Sequence, residues 1–197
     1  MYIPIEQIKQ HFHYDPFKAM VAPRPIGWMS SRGSGGRNNL APYSFFNAVS
    51  NAPHMLMFVS AGLKDTVTNC RDRGEFCFNL VSHSMLHPMS RSSAMTDQDE
   101  FELAGLEALE CEQIDCPRVA GAPASMECVV TQVMPLKDKN GTELDNWMVL
   151  GQVVAVHVEP DYITQDQRFD TEKAALVSRC GYKDYMASGR FFELERG

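Results

Sequence analysis

Five short apolar runs set the rhythm of the chain: PIGWMSS (25–31), HMLMFVSA (54–61), EFCFNLVS (75–82), SMECVVTQVMPL (125–136) and MVLGQVVAVHV (148–158). Each is rich in Val, Met or Phe and is bounded by Gly, Pro, Asn or Asp, the pattern of β-strands between turns. Within EFCFNLVS a period of two places Phe76, Phe78 and Leu80 on one face and Cys77, Asn79 and Val81 on the other. The glycine-rich SRGSGGRNN (31–39) and KDKNGTELD (137–145), with its Asn140–Gly141 step, predict hairpin loops. The second loop joins two long strands into a ribbon of the kind found in antiparallel barrels.

Helical patterns fall between these strands. DTVTNCRDRG (65–74) opens with an acid and hydroxyls, sets Val67 and Cys70 on one face, carries arginines late and stops at Gly74. SHSMLHPMSRSS (82–93) predicts a short helix that Pro88 interrupts. The acidic stretch 97–110 reads as solvated. Regular strand–helix alternation is missing, so the expectation is a mainly β barrel with helices in its connections, not a doubly wound sheet. No repeat or long linker divides the chain, and residues 1–197 are expected to form a single domain.

Composition narrows the function. Apolar residues make up 44% of 197, enough for a sizeable core, and the net charge of −7 argues against nucleic-acid or anionic-membrane partners. The polar N-terminus lacks a signal-peptide pattern, and no apolar run approaches the ~20 residues of a membrane span. A soluble cytoplasmic protein is therefore expected. The six cysteines show no C-x-x-C pair or zinc-ribbon spacing and read as reduced, mostly buried small residues. His83 and His87 are spaced i, i+4 but lack a third ligand, and no metal is expected.

Familiar catalytic motifs are missing: there is no G-x-G-x-x-G opening a helix, no Walker loop and no G-x-S-x-G elbow. Other segments suit a planar, phosphorylated ligand. In GLKDTVTNC (62–70), a helix beginning near Asp65 or Thr66 would aim free N–H groups outward beside Lys64 and the Thr66 hydroxyl, making an anion site. Asp65 opposes an anion unless it faces away or pairs with an arginine, and taken alone the segment reads more readily as a lysine followed by an ordinary N-cap. Asn79, costly to bury without partners, offers a donor and an acceptor that match the edge of a pyrimidine-like ring. A cross-strand hydrogen bond accounts for it as well. Asn47, in APYSFFNAVS (41–50), poses the same choice. In that segment strand alternation sends Phe45 and Phe46 to opposite sides, so only one can line a given slot.

Taken in order, APRPIGWMSS, NLAPYSFFNAVSNAPHMLMF, KDTVTNC, GEFCFNLVS, EFELAGLE and VSRCGYKDY resemble the flavin reductase-like family, the FMN-binding split barrels that include flavoredoxin. The resemblance runs from about residue 12 to residue 194. It implies a six-stranded antiparallel Greek-key split barrel, a homodimer, and FMN held noncovalently near the dimer interface. Residues 160–197 would pack on the barrel or on the partner subunit. Carried over by position, Pro23, Arg24 and Pro25 match the segment beside the flavin. Ser44, Phe45, Phe46 and Asn47 match a segment that contacts it largely through main chain. Lys64, Asp65 and Thr66 match the phosphate end, Asn79, Leu80 and Val81 the ring, and Arg179, Gly181 and Tyr182 the active face. His54, Cys77 and Cys180 depart from the family pattern. The implied activity is hydride transfer from NAD(P)H to FMN, with a monooxygenase as a possible receiver of reduced flavin and no assigned catalytic side chain. An electron carrier serving a redox partner protein, or a non-enzymatic flavin- or haem-binding barrel, are the alternatives. Arg24 or Arg179 would steer the nicotinamide's phosphates or the flavin's negative edge.

Overall fold

Which side of each strand stays dry decides how the sheet rolls. The computed structural model describes residues 1–94 and 98–195. One-turn helices α1 (Ile8–His11) and α2 (Phe17–Met20) precede strands β1 (Arg24–Pro25), β2 (Gly27–Arg32), β3 (Asn38–Tyr43), β4 (Phe46–Asn51) and β5 (His54–Ala61). Helix α3 (Asp65–Arg73), β6 (Glu75–Leu80), α4 (Leu86–Arg91) and α5 (Glu100–Ala104) follow. The chain continues through β7 (Ala108–Glu110), β8 (Pro117–Val119), β9 (Ala124–Lys137), β10 (Glu143–Val158), β11 (Val177–Arg179) and β12 (Tyr185–Ala187).

Seven strands form one antiparallel sheet in the order β3-β2-β6-β9-β10-β5-β4. Its two outermost strands, β3 and β4, are consecutive in the chain and separated only by Ser44 and Phe45. A link that short spans no more than about 10 Å, so the two edges must meet and the sheet must roll into a barrel with a seam. The Val59 N–H donates to the Phe45 carbonyl at 2.8 Å beside the seam. The split-barrel expectation holds, with seven strands in place of six. Two of the seven, β3 and β4, flank Ser44 and Phe45, one on each side of the seam.

Inside the barrel, Met29, Tyr43, Phe46, Phe58, Phe76, Phe78, Cys128 and Val149 make the core. The Phe46 and Phe78 rings stack at 4.9 Å, Phe76 meets Phe58 edge-on at 5.4 Å, and Tyr43 leans on Phe58 at 4.7 Å. Two glycines make room for these rings. A Cβ on Gly27 would stand 2.6 Å from the Phe46 ring, and one on Gly151 2.3 Å from Phe76. A second cluster lies outside the wall, where Trp28, Leu40 and Val81 pack with Met85, Met89, Phe101, Val119 and Val177. Strand β2 is therefore covered on both faces, which explains why 25–31 reads as a continuous run rather than an alternation.

The hairpins form as expected, with Arg32 paired to Asn38 and Lys137 to Glu143. Helix α3 matches its expected limits, and Gly74 ends it at φ 75°. Two expectations change. Pro88 stands in the first turn of α4, where its missing N–H would have no helical partner, so it does not interrupt the helix. The acidic stretch, apart from residue 97, which lies outside the described residues, contains α5, which buries Glu100, Phe101 and Ala104. A single buried face on five residues is too short to register as periodicity. Among the described residues no helix is long and apolar enough to cross a membrane.

Phe46 fills the barrel, whereas Phe45 lies half-buried outside it with the Lys18 ammonium 5.8 Å from its ring. Urea unfolding is expected to show a loss of about 3–5 kcal/mol for Phe46→Ala and less than half of that for Phe45→Ala. Equal losses would mean that both rings carry the core.

Candidate functional site

Helix α3 begins without a side-chain cap: Lys64 occupies the N-cap position and offers no acceptor. The first-turn N–H groups are thus left for solvent or a ligand. They open beside a cavity of about 640 Å³ lined by Lys64, Asp65, Thr66, Asn39, Tyr43 and Glu100, with Ser92 and Ser93 opposite and Ala41, Pro42 and Leu63 supplying apolar wall. Asp65 does not oppose an anion unscreened, because Arg37 pairs with it at 2.9 Å. The Thr66 hydroxyl accepts from the Asn39 amide at 2.8 Å, and that amide also donates to Ser31 at 3.1 Å.

Burial acts on two acids that border the cavity. Burial pushes the Tyr43 phenol up to about 12, against the opposing pull of the Thr66 and Ser60 hydroxyls. Burial likewise raises Glu100, whose Oε2 accepts the Leu40 N–H at 3.1 Å. Both shifts are toward the protonated form.

A smaller cavity of about 190 Å³ shares Pro42, Tyr43 and Ser93 with the first and adds Ser44, Arg179 and Tyr185. Arg179 reaches it because β11 pairs with β1 in a separate small sheet. Its guanidinium stacks 4.5 Å from the Tyr185 ring and donates to the Asp184 and Tyr182 carbonyls. Arg24, directly across from Arg179, is spent differently. It is buried, and it donates to the carbonyls of Lys18, Val21 and Cys180. Of the two arginines expected to steer a ligand, only Arg179 lines a cavity.

The remaining expected residues scatter. Gly181 is buried against Ala19, where a Cβ would come within 2.4 Å, and Tyr182 is exposed beside Tyr14 at 5.9 Å. Pro23 and Pro25 are exposed. Asn47 is exposed too, its Oδ1 accepting the neighbouring Ala48 N–H at 2.9 Å. Phe46 belongs to the core, Phe45 lies half-buried outside it, Leu80 packs against the core, and Val81 sits in the outer cluster. Asn79 is fully buried and saturated. Its amide donates to the Trp28 carbonyl (3.1 Å) and to Ser30 (3.0 Å), while its Oδ1 accepts from the Val119 N–H (2.8 Å) and from Ser125 (2.9 Å). The cross-strand reading of Asn79 is the one the geometry matches. Sequence reasoning missed Asn39, Tyr43, Ser92, Ser93 and Glu100, because strands and helices far apart in the chain bring them to one cavity.

Residues 20–173 match the family described as flavin reductase like domain. An uncharacterized protein of Aquifex aeolicus is 32% identical over 85% of each chain. The crystal structure of nitrilotriacetate monooxygenase component B from Bacillus cereus superposes with a TM-score of 0.88 at 29% identity, covering 98% of both chains. That of 2-nitrobenzoate 2-nitroreductase from Pseudomonas fluorescens gives 0.86 at 25% identity, covering all of this chain and 96% of the other.

Removing the Asn79 amide leaves the Val119 N–H buried without an acceptor. Asn79→Ala is expected to lose at least about 1–3 kcal/mol in urea unfolding, with little change in ligand affinity of the folded protein. Intact stability with weakened affinity would instead place Asn79 at the ligand.

Proposed function

The chain belongs to the flavin reductase-like family, and from that premise we propose that it is an FMN-dependent oxidoreductase that takes hydride from NAD(P)H. The observation that carries this reading is the uncapped start of α3, opening with Lys64 and Thr66 into a cavity of about 640 Å³. That volume lies within the roughly 300–1,000 Å³ of small-molecule sites, and the donor set fits a phosphate. The apolar wall of Ala41, Pro42 and Leu63 fits the flat remainder of the molecule.

FMN, when bound, supplies the hydride chemistry and passes the electrons onward. The chain's own part is binding and orientation. Lys64 and the α3 N–H groups hold the phosphate, aided by the helix dipole. Asn39 fixes the Thr66 hydroxyl through its donated hydrogen bond, holding the first turn of α3 against β3. The main chain around Ser44 would border the ring, and Arg179 in the adjoining cavity would orient the phosphates of the nicotinamide dinucleotide. A hydride moves both electrons together, so this reading asks no side chain to act as acid or base.

The similarity to a monooxygenase component B supports a role in which reduced flavin serves a separate oxygenase. A homodimer belongs to the same reading. Val49 on β4, Val129 on β9 and Val154 and Val156 on β10 stand 41–55% exposed on the single chain, a surface that a second copy would cover. Sedimentation as a single chain would remove the dimer from the proposal.

Lys64→Ala is expected to weaken FMN at least tenfold while leaving riboflavin, which lacks the phosphate, nearly unchanged, as read by flavin fluorescence. Equal losses for both ligands would move Lys64 away from the phosphate. Mixed anaerobically with NADH or NADPH in a stopped-flow instrument, the flavin-loaded protein is expected to bleach rapidly with at least one of them. Reduction only through a second protein would make the chain an electron carrier.

A further inference from the structure

Near its C-terminal end, strand β10 carries one residue more than the stretch of β9 it pairs with. Opposite β9, Val153 pairs with Cys128, but the next pair joins Ala155 to Glu127, leaving Val154 out of register. Such a bulge shifts the alternation by one residue and re-aims every side chain beyond it. Without it His157 would stand across from Ala124, on the face that Met126 and Cys128 turn toward the barrel core. With it, His157 stands across from Ser125, on the outer face that carries Glu127.

That outer face is covered by the loop from Cys111 to Cys116. The loop closes on itself through the Cys111 N–H and the Cys116 carbonyl, and it packs Ile114 and Cys116 over Cys77, the residue directly across from Glu127 on β6. Glu127 is fully buried, and the loop grips it from two sides. The Glu112 N–H donates to Oε1 at 2.9 Å and the Gln113 N–H to Oε2 at 2.7 Å. His157 Nε2 lies 2.5 Å from the same Oε1. Burial works against the carboxylate, but the Glu112 N–H, His157 and the Gln113 N–H outweigh it and hold the carboxyl below its ordinary range.

The turn that supplies these two N–H groups also places Cys111. Its Sγ, a Glu127 oxygen and a His157 ring nitrogen all lie within 4.8 Å of one another. Cys111 is half-buried and the His157 side chain keeps 22% of its surface exposed, so the cluster is reachable from solvent. None of its residues lines either cavity. We propose that Cys111, Glu127 and His157 form a binding site for one divalent cation of the zinc class, separate from the flavin site.

The donor set selects the cation. One thiolate, one imidazole and one carboxylate suit zinc and its neighbours, whereas magnesium and calcium take oxygen ligands. Zinc bonds of about 2.0–2.3 Å place tetrahedral ligand atoms roughly 3.3–3.8 Å apart. Donors that all lie within 4.8 Å of one another are near that spacing. Three protein ligands leave the fourth position to water, and the two N–H groups on Glu127 supply the outer hydrogen bonds that orient such a ligand.

Chain stripped of metal by a chelator under reducing conditions would be titrated with Zn²⁺ against a chromophoric chelator, and separately with Co²⁺. The expected result is one ion per chain, a thiolate-to-cobalt charge-transfer band, and binding at least tenfold weaker in both Cys111→Ser and His157→Gln. His157→Gln keeps an amide donor toward Glu127, so it serves if the serine variant fails to fold. Failure to bind one ion per chain, or binding that His157→Gln leaves unchanged, overturns the proposal.

Discussion

Everything in this molecule hangs on a two-residue link. Ser44 and Phe45 join the opposite edges of a seven-stranded sheet, and a chain that short leaves the sheet no choice but to close. Closure turns Phe46 inward onto Phe78 and brings Tyr43 against Phe58, so that aromatic packing locks the seam from the inside. It also leaves β3 with one free edge. Pro42, which has no N–H to offer, suits that edge, and the Leu40 N–H finds the Glu100 carboxylate instead of a strand. The larger cavity forms along this edge, between β3, the start of α3 and the serines at the end of α4.

A second layer depends on buried polar groups that are fully paired. On the outer face of the barrel, Ser30, Asn79 and Glu127 accept or donate across to the segment from Glu112 to Val119. Ser30 donates to the Pro117 carbonyl, Asn79 accepts from Val119, and Glu127 accepts from Glu112 and Gln113. Each of these bonds ties a short, irregular segment to the sheet in one register only, because a slip would strand a buried donor or acceptor. The same device places Cys111 and His157 beside Glu127, with the bulge in β10 supplying the final half-turn of the strand.

Much of this was legible in advance for a plain reason: strands and their turns are local. The limits of α3, both hairpins and strand β5 follow from alternation, from glycine where φ is positive, and from caps within a few residues. The opposite facing of Phe45 and Phe46 followed from the same alternation. That α3 starts at Asp65, beside Lys64 and Thr66, was readable because a helix start is itself a local feature, and Asp65 pairs with Arg37. What misled was locality as well. Asn47 and Asn79 read alike, yet one is exposed and bonded to its neighbour while the other is buried and bonded across to β2, β8 and β9. Arg24 and Arg179 read alike, yet only one reaches a cavity.

Local pattern settles the elements, the barrel class and the uncapped start of α3, since each depends on residues near one another in the chain. Only the tertiary structure decided that the SFFN segment is a seam, that Asn79 is a clamp, and that Asn39, Tyr43 and Glu100 belong with Lys64. It alone set His157 beside Glu127 and Cys111, because a bulge in one strand is visible only against the register of the next. Contacts between distant segments are chosen by closure and by the pairing of buried polar groups, and neither is written in any short window of residues.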